Sequence, residues 1–319
     1  MAQATDSRNL EQRQTALETL LQEHLLALRV KGYSPYTVRN RDVHVRFFLR
    51  WCQASGITTL GGITSAVLDC YQRYLFDYRK RNGQPLALAS RHSCLVPLRV
   101  WFRWMARQHH IAEDRVPEIE LPRLGRPLPR NILSAREAER VLAQPDIRSP
   151  VGLRDRAILE LLYSTGIRRL ELVNIKLHDL PLDRRLIFVR EGKGKRDRYV
   201  PVGHRAIVWL RRYIREARPQ LEGESDNEAV FLTAQGQPLS RDHLTWIARK
   251  HIASAKLGKG GACHLFRHSM ATLMHENGAD IRCIQQILGH SDIKTTQIYT
   301  QVAIRTLQQV HAATHPAGR

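Results

Sequence analysis

A tyrosine hydroxyl is a weak nucleophile at neutral pH, since its ordinary pKa is about 10, and it becomes useful only where cationic or basic neighbours stabilise its oxyanion or take its proton. The stretch from His264 to Tyr299 supplies such neighbours. It runs His264-Leu265-Phe266-Arg267-His268, then Leu288-Gly289-His290, and nine residues after that Tyr299. Spacings of three and four put His264, Arg267 and His268 on one face of a helix. His264 and His268 also stand four apart, as in a zinc-binding helix, but Leu265 occupies the place where the HExxH pattern requires glutamate.

Two further motifs precede this stretch. Thr165-Gly166-Ile167-Arg168-Arg169-Leu170-Glu171-Leu172 carries a glycine stop followed by arginines. Gly192-Lys193-Gly194-Lys195 lies between the short apolar runs Leu186 to Arg190 and Arg198 to Val202, a plausible hairpin, and lacks the GxxxxGK[ST] spacing of a phosphate loop. Each motif alone has an ordinary structural explanation: a capped helix end, a solvated hairpin tip, surface histidines.

Charge points to the substrate class. The 319 residues hold 50 Lys+Arg against 30 Asp+Glu, a formal net charge of +20, which suits a polyanionic partner, foremost nucleic acid. Up to Arg130 there are 20 basic and 11 acidic residues, and 30 and 19 thereafter, so both halves are basic and neither is a mere charged tail. Five cysteines without a CxxC pair suggest neither a disulfide framework nor a zinc knuckle. Met1 to Gln14 is polar, and no apolar run approaches the length of a bilayer span. A cytoplasmic, DNA-associated protein without membrane contact is expected.

The elements that must position these motifs divide at a linker. Leu17, Leu20, Leu21, His24, Leu25 and Leu28 mark a first helix from about Thr15 to Arg29. Ser34-Pro35 opens a second, running to about Ala54. Thr64 to Arg81 and Ala87 to Gln108 follow, the last interrupted or kinked near Pro97, with Trp101, Phe102 and Trp104 better suited to a core than to DNA contact. Pro117, Pro122, Gly125, Pro127 and Pro129 then form a stiff, arginine-bearing linker. Beyond it, the capping box Ser134 to Glu137 starts a helix, followed by Gly152 to Ser164, the hairpin, and helices near 205–218, 240–255, 264–277 and 281–288.

In the order Arg168, Lys193, His264-x-x-Arg267, His290, Tyr299, the chain resembles the tyrosine recombinases of the phage integrase class, and most nearly the Xer-type bacterial enzymes, from about residue 15 to 315. The resemblance implies a mainly α fold with a small β-hairpin: a helical core-binding bundle at 15–115, the linker at 116–130, and an α+β catalytic domain at 131–315, the two closing as a clamp around DNA. It assigns Tyr299 as nucleophile, Arg168 and Arg267 to the nonbridging phosphate oxygens, Lys193 to protonation of the leaving 5′-oxygen, His264 to proton removal from Tyr299, and His290 to the phosphate or the nucleophile. Glu171 falls on the acidic residue that supports the site, and His268 falls outside the set, as support for its helix.

No metal or nucleotide cofactor is implied, because a phosphotyrosine conserves the bond energy. The expected partners are double-stranded DNA recombination sites and further protomers: four on two sites, either identical or paired with a second recombinase. The segment from Ala303 to Ala313, with Ile304, Leu307 and Val310 at helical spacing, resembles the terminal helix that docks on a neighbouring protomer, and equally suits a helix packed on its own domain. A DNA-binding protein without catalysis and a swivelling type IB topoisomerase share parts of this pattern. The intact set of six residues opposes the first, and the N-terminal bundle and short chain oppose the second.

Overall fold

The computed structural model describes residues 2–112, 118–125, 131–192, 196–223, 227–290, 293–297 and 299. The chain divides into two compact units, Met1–Arg126 and Pro127–Arg319. Helices dominate both, and the one sheet found among the described residues is two-stranded and antiparallel.

The N-terminal unit is built from α1 (Ala2–Val30), α2 (Pro35–Ala54), α3 (Ser65–Asp77) and α4 (Leu88–Arg107). Helix α1 begins well before Thr15. Its early residues carry no apolar stripe, so periodicity does not reveal them. Ser34 caps α2 by accepting from the Thr37 N–H at 3.2 Å, with Pro35 in the first turn. Helix α3 stops at Asp77 rather than Arg81, because the Arg79 guanidinium turns back to donate to the Asp77 carbonyl at 2.8 Å. Of the interruption or kink expected near Pro97, the interruption is absent: helix α4 runs through Pro97 from Leu88 to Arg107. The four helices bury Leu21, Val45, Phe48, Leu68, Tyr71, Leu98, Trp101 and Phe102, with Phe48 and Tyr71 edge to face at 4.9 Å. Trp101 and Phe102 are core residues, as their spacing indicated.

The C-terminal unit opens with α5 (Ala135–Leu142), whose capping box of Ser134 and Glu137 is formed in both directions. Helix α6 (Pro150–Thr165) is buried nearly all round and forms the centre of the unit. Its polar residues are satisfied internally: Arg154 donates to Asp155 Oδ1 at 2.7 and 3.0 Å, and Asp155 Oδ2 lies 2.9 Å from His251 Nε2. The short α7 (Arg169–Val173) leads to β1 (Leu186–Gly192) and β2 (Arg196–Pro201), which pair with Val189 opposite Arg198. Helices α8 (His204–Arg212), α9 (Arg218–Glu222), α10 (Arg241–Ser254), α11 (Cys263–Glu276) and α12 (Ile281–Leu288) complete it. The region expected as one helix over 205–218 contains a π turn at Tyr213–Ala217. Pro219 accounts for it, since its ring excludes a normal α-helical approach to the carbonyl four residues earlier.

Among the described residues no helix is long and apolar enough to cross a membrane. Nor is there, among them, a cluster of histidine, cysteine or acidic side chains able to hold a metal ion.

Candidate active site

Two helices end beside a third at one place. Helix α6 stops at Thr165 because Gly166 takes a left-handed conformation, φ 57°, and the chain turns to present Arg168 at the start of α7. The left-handed conformation favours glycine here, and a Cβ would also press on the Met270 and Leu288 side chains. Helix α12 ends the same way, with Gly289 at φ 63°. Between them passes α11, held by Ser269, whose hydroxyl accepts from the Leu133 N–H at 2.7 Å.

The C-terminal end of α12 gathers the cations. Arg267 Nη1 donates to the Gly166 carbonyl at 2.6 Å, and its Nη2 donates to the Leu288 carbonyl at 2.9 Å and to His290 Nε2 at 2.7 Å. Arg168 Nη2 donates to the Gly289 carbonyl at 2.8 Å. Two guanidiniums and an imidazole thus hang on three consecutive residues, Leu288, Gly289 and His290, at the negative end of a helix dipole. Because Arg267 can only donate, His290 Nε2 is the acceptor and its proton sits on Nδ1, which donates to Thr296 Oγ1 at 2.8 Å. The ring is therefore neutral and fixed in one tautomer.

The charge is incompletely balanced. Arg168 is paired with Glu171 at 2.8 Å, whereas no carboxylate pairs with Arg267 among the described residues, although it is only 5% exposed. Burial, followed by the repulsion of Arg168, lowers the Arg267 pKa to about 10. A buried cation without a counter-ion favours an incoming anion. Burial also opposes ionisation of Glu171, but hydrogen bonds from Arg198 and Arg168 outweigh it and hold the carboxyl at about 2.

Tyr299 lies beside this cluster, packed with Met270, Ala271, Ile284 and Leu288 and almost fully buried. Its hydroxyl is 3.2 Å from His268 Nδ1. Burial raises its pKa, against the pull of Arg267 and Arg168. His264 sits on the first turn of α11, open to solvent on one side and partly covered on the other, its ring centroid 6.5 Å from that of His268. Both histidines have lowered pKa values, through burial and neighbouring cationic or titratable groups, so both are neutral at pH 7.

Arg168, Arg267, His290 and Tyr299 are therefore brought together, and His264 shares α11 with Arg267. Lys193 lies outside the described residues. Arg198, which holds Glu171 from β2, escaped sequence reading, and His268, read there only as support for its helix, touches the Tyr299 hydroxyl. His268 was visible through its spacing from His264 and Arg267. Arg198 carried no signal beyond its place in the hairpin.

A helical unit that sets unpaired cationic charge beside a tyrosine and neutral histidines defines an enzyme transferring a phosphodiester strand through tyrosine. The chain belongs to the phage integrase family, whose model matches residues 131–305, and is a tyrosine recombinase. It is 50% identical over 301 residues to "Tyrosine recombinase XerC 2" of Ralstonia nicotianae, covering 94% of this chain and 86% of that one. It is 38% identical over 288 residues to "Tyrosine recombinase XerD" of Pseudomonas aeruginosa, covering 90% and 94% respectively. Among solved structures, the XerA recombinase superposes with a TM-score of 0.51 at 28% identity, covering 92% of this chain and 98% of that one. XerH bound to a palindromic difH substrate, a post-cleavage complex, superposes with a TM-score of 0.70 at 22% identity, covering 88% and 81%, and shares the fold.

Proposed function

We propose that the chain cuts and rejoins DNA at specific sites through Tyr299. The Tyr299 oxygen attacks a phosphodiester, the bond to the 5′-oxygen breaks, and a 3′-phosphotyrosyl link and a free 5′-hydroxyl result. Attack by the 5′-hydroxyl of a second strand reverses the chemistry with a new partner, which gives strand exchange through a Holliday junction in an assembly of four protomers on two sites. The four are identical or include a second recombinase, as the XerC and XerD names of the relatives suggest.

The observation that supports this reading most strongly is the buried, uncompensated Arg267 tied with Arg168 and His290 to the end of α12. Guanidinium forks match the nonbridging oxygens and neutralise charge that grows in the pentacoordinate transition state. His290 binds the phosphate or the nucleophile. His264, neutral at pH 7, takes the tyrosine proton, and Lys193 protonates the leaving oxygen. No cofactor enters, because the phosphotyrosine retains the energy of the broken bond. The helical unit 15–115, the linker 116–130 and the catalytic domain 131–315 form the DNA-binding body. Cytoplasmic action on nucleoid DNA follows, in chromosome-dimer resolution or in integration and excision of mobile elements.

The test traps the adduct. Crosslinked adducts mapped on the host genome define the site, and a duplex bearing it is nicked on the 3′ side of the scissile phosphate. Wild type accumulates covalent protein–DNA product on this duplex, whereas Tyr299→Phe yields none. Equal product from both overturns the reading.

A further inference from the structure

The β-hairpin sends a further side chain into the site. Arg198 on β2 binds Glu171 with both terminal nitrogens, Nη1 to Oε1 at 3.0 Å and Nη2 to Oε2 at 2.9 Å. Its remaining nitrogen, Nε, donates to the Ile287 carbonyl on α12 at 3.1 Å. Glu171 in turn accepts from the Arg168 N–H and from Arg168 Nη1, each at 2.8 Å, and Arg168 Nη2 returns to the Gly289 carbonyl at 2.8 Å. The contacts close a ring through Arg198, Glu171, Arg168, Gly289 and Ile287. At Gly289 a Cβ would come within 2.8 to 2.9 Å of the Arg198 guanidinium, so the backbone of the glycine lies against it.

We propose that Arg198 is a positioning residue of the strand-cleavage site, which orients Arg168 through Glu171 and fixes the end of α12 that presents His290. It does not act as a phosphate ligand, because each of its three nitrogens already serves a protein acceptor and its side chain is only 14% exposed. The bidentate pair gives the hinge between α7 and α12 a defined geometry, which a single point charge would not supply. A ligand guanidinium displaced by about 1 Å costs on the order of a hundredfold in rate. Arg198 also ties the site to β2. The inference rests on the reading of Arg168 and His290 as the groups that receive the phosphate.

The experiment measures adduct formation on the nicked duplex at saturating protein, with affinity for the same duplex measured separately, for Arg198→Met, Arg198→Lys, Glu171→Gln, the double variant Glu171→Gln/Arg198→Met, and Arg168→Ala. Arg198→Met is expected to form adduct roughly tenfold to a hundredfold more slowly, with affinity changed less than about threefold, and Arg198→Lys to regain only part of the loss because lysine cannot bind both carboxylate oxygens. In the Glu171→Gln background, removal of Arg198 is expected to cost less than about threefold more, since the pathway through Glu171 is already broken. Wild-type adduct formation by Arg198→Met, or losses that multiply fully in the double variant, overturns the inference. If Arg198→Met does not fold, Arg198→Lys carries the same comparison, and a wild-type rate in it is equally decisive against the bidentate role. A wild-type rate in Arg168→Ala instead removes the underlying reading of the site.

Discussion

His268 Nδ1 lies 3.2 Å from the Tyr299 hydroxyl, and the two ring centroids are 5.7 Å apart. The tyrosine's polar end therefore meets a neutral imidazole while its ring is enclosed by Met270, Ala271, Ile284 and Leu288. Arg267, one residue earlier on α11, donates to Gly166, Leu288 and His290 and also, against the burial that raises the Tyr299 pKa, lowers it by its charge and a side-chain hydrogen bond. One helix thus divides its labour: His268 meets the nucleophile, and Arg267 links the nucleophile to the phosphate position.

That division predicts unequal losses. His268→Gln keeps an amide able to hydrogen-bond the hydroxyl and is expected to retain far more cleavage than Arg267→Ala, which removes a transition-state ligand and is expected to fall by about a hundredfold or more. Single-turnover adduct formation on the nicked duplex makes the comparison. If the two variants are equally impaired, His268 is the proton acceptor rather than a support for the nucleophile.

The same histidines set a pH dependence. Burial and the neighbouring Arg267 lower the pKa values of His264 and His268 below the ordinary 6.5. Neutral imidazole is the form able to accept the tyrosine proton, so the acid limb of the adduct rate should be centred below pH 6.5. Rates measured from pH 5 to 8 check this. An acid limb centred above 6.5 contradicts the lowered values.

Lys193 is tested by the leaving group. If it protonates the 5′-oxygen, Lys193→Ala should cleave an ordinary duplex poorly and a duplex with a 5′-bridging sulfur at close to the wild-type rate, because a thiolate departs without prior protonation. Arg267→Ala serves as the control that sulfur should not restore. A lysine variant equally slow on both duplexes assigns Lys193 another task.

Much of this organisation was legible before any coordinates, for physical reasons. Helices α2, α5, α10 and α12 advertise themselves by capping residues at Ser34, Ser134, Ser240 and Asp280. The buried stripe of α1 follows its leucines. Arg168 and His290 stand out because a glycine stop precedes each, Gly166 before Arg168 and Gly289 before His290, and Arg267 stands out by its spacing from His264. What escaped depends on contacts between residues remote in sequence. Arg198 and Ile287 are 89 positions apart, and His268 and Tyr299 31 apart, distances over which periodicity carries no information. The π turn at Tyr213–Ala217 was hidden because Pro219 reads equally well as a helix stop.

His24 shows that a legible position can carry an illegible consequence. Its spacing among the leucines of α1 places it in the core, and there it is 1% exposed, its ring 5.0 Å from that of Trp104. Neither ring nitrogen finds a hydrogen-bond partner among the described residues. Burial, then the charges of Arg41 and Lys31, lower its pKa from 6.5 to about 4. Unfolding frees the ring to bind a proton at its ordinary pKa, so acidification favours the unfolded state. Stability is fully present above about pH 6.5 and is lost progressively as pH falls towards about 4, by about 1.4 kcal/mol per unit and on the order of 3 kcal/mol in all. Urea unfolding of the full chain at pH 7 and pH 4.5, followed by tryptophan fluorescence, should show this loss in wild type. In His24→Leu, which cannot titrate, the difference between the two pH values should shrink by a similar amount. An unchanged difference would mean that other groups govern the acid sensitivity of the N-terminal unit.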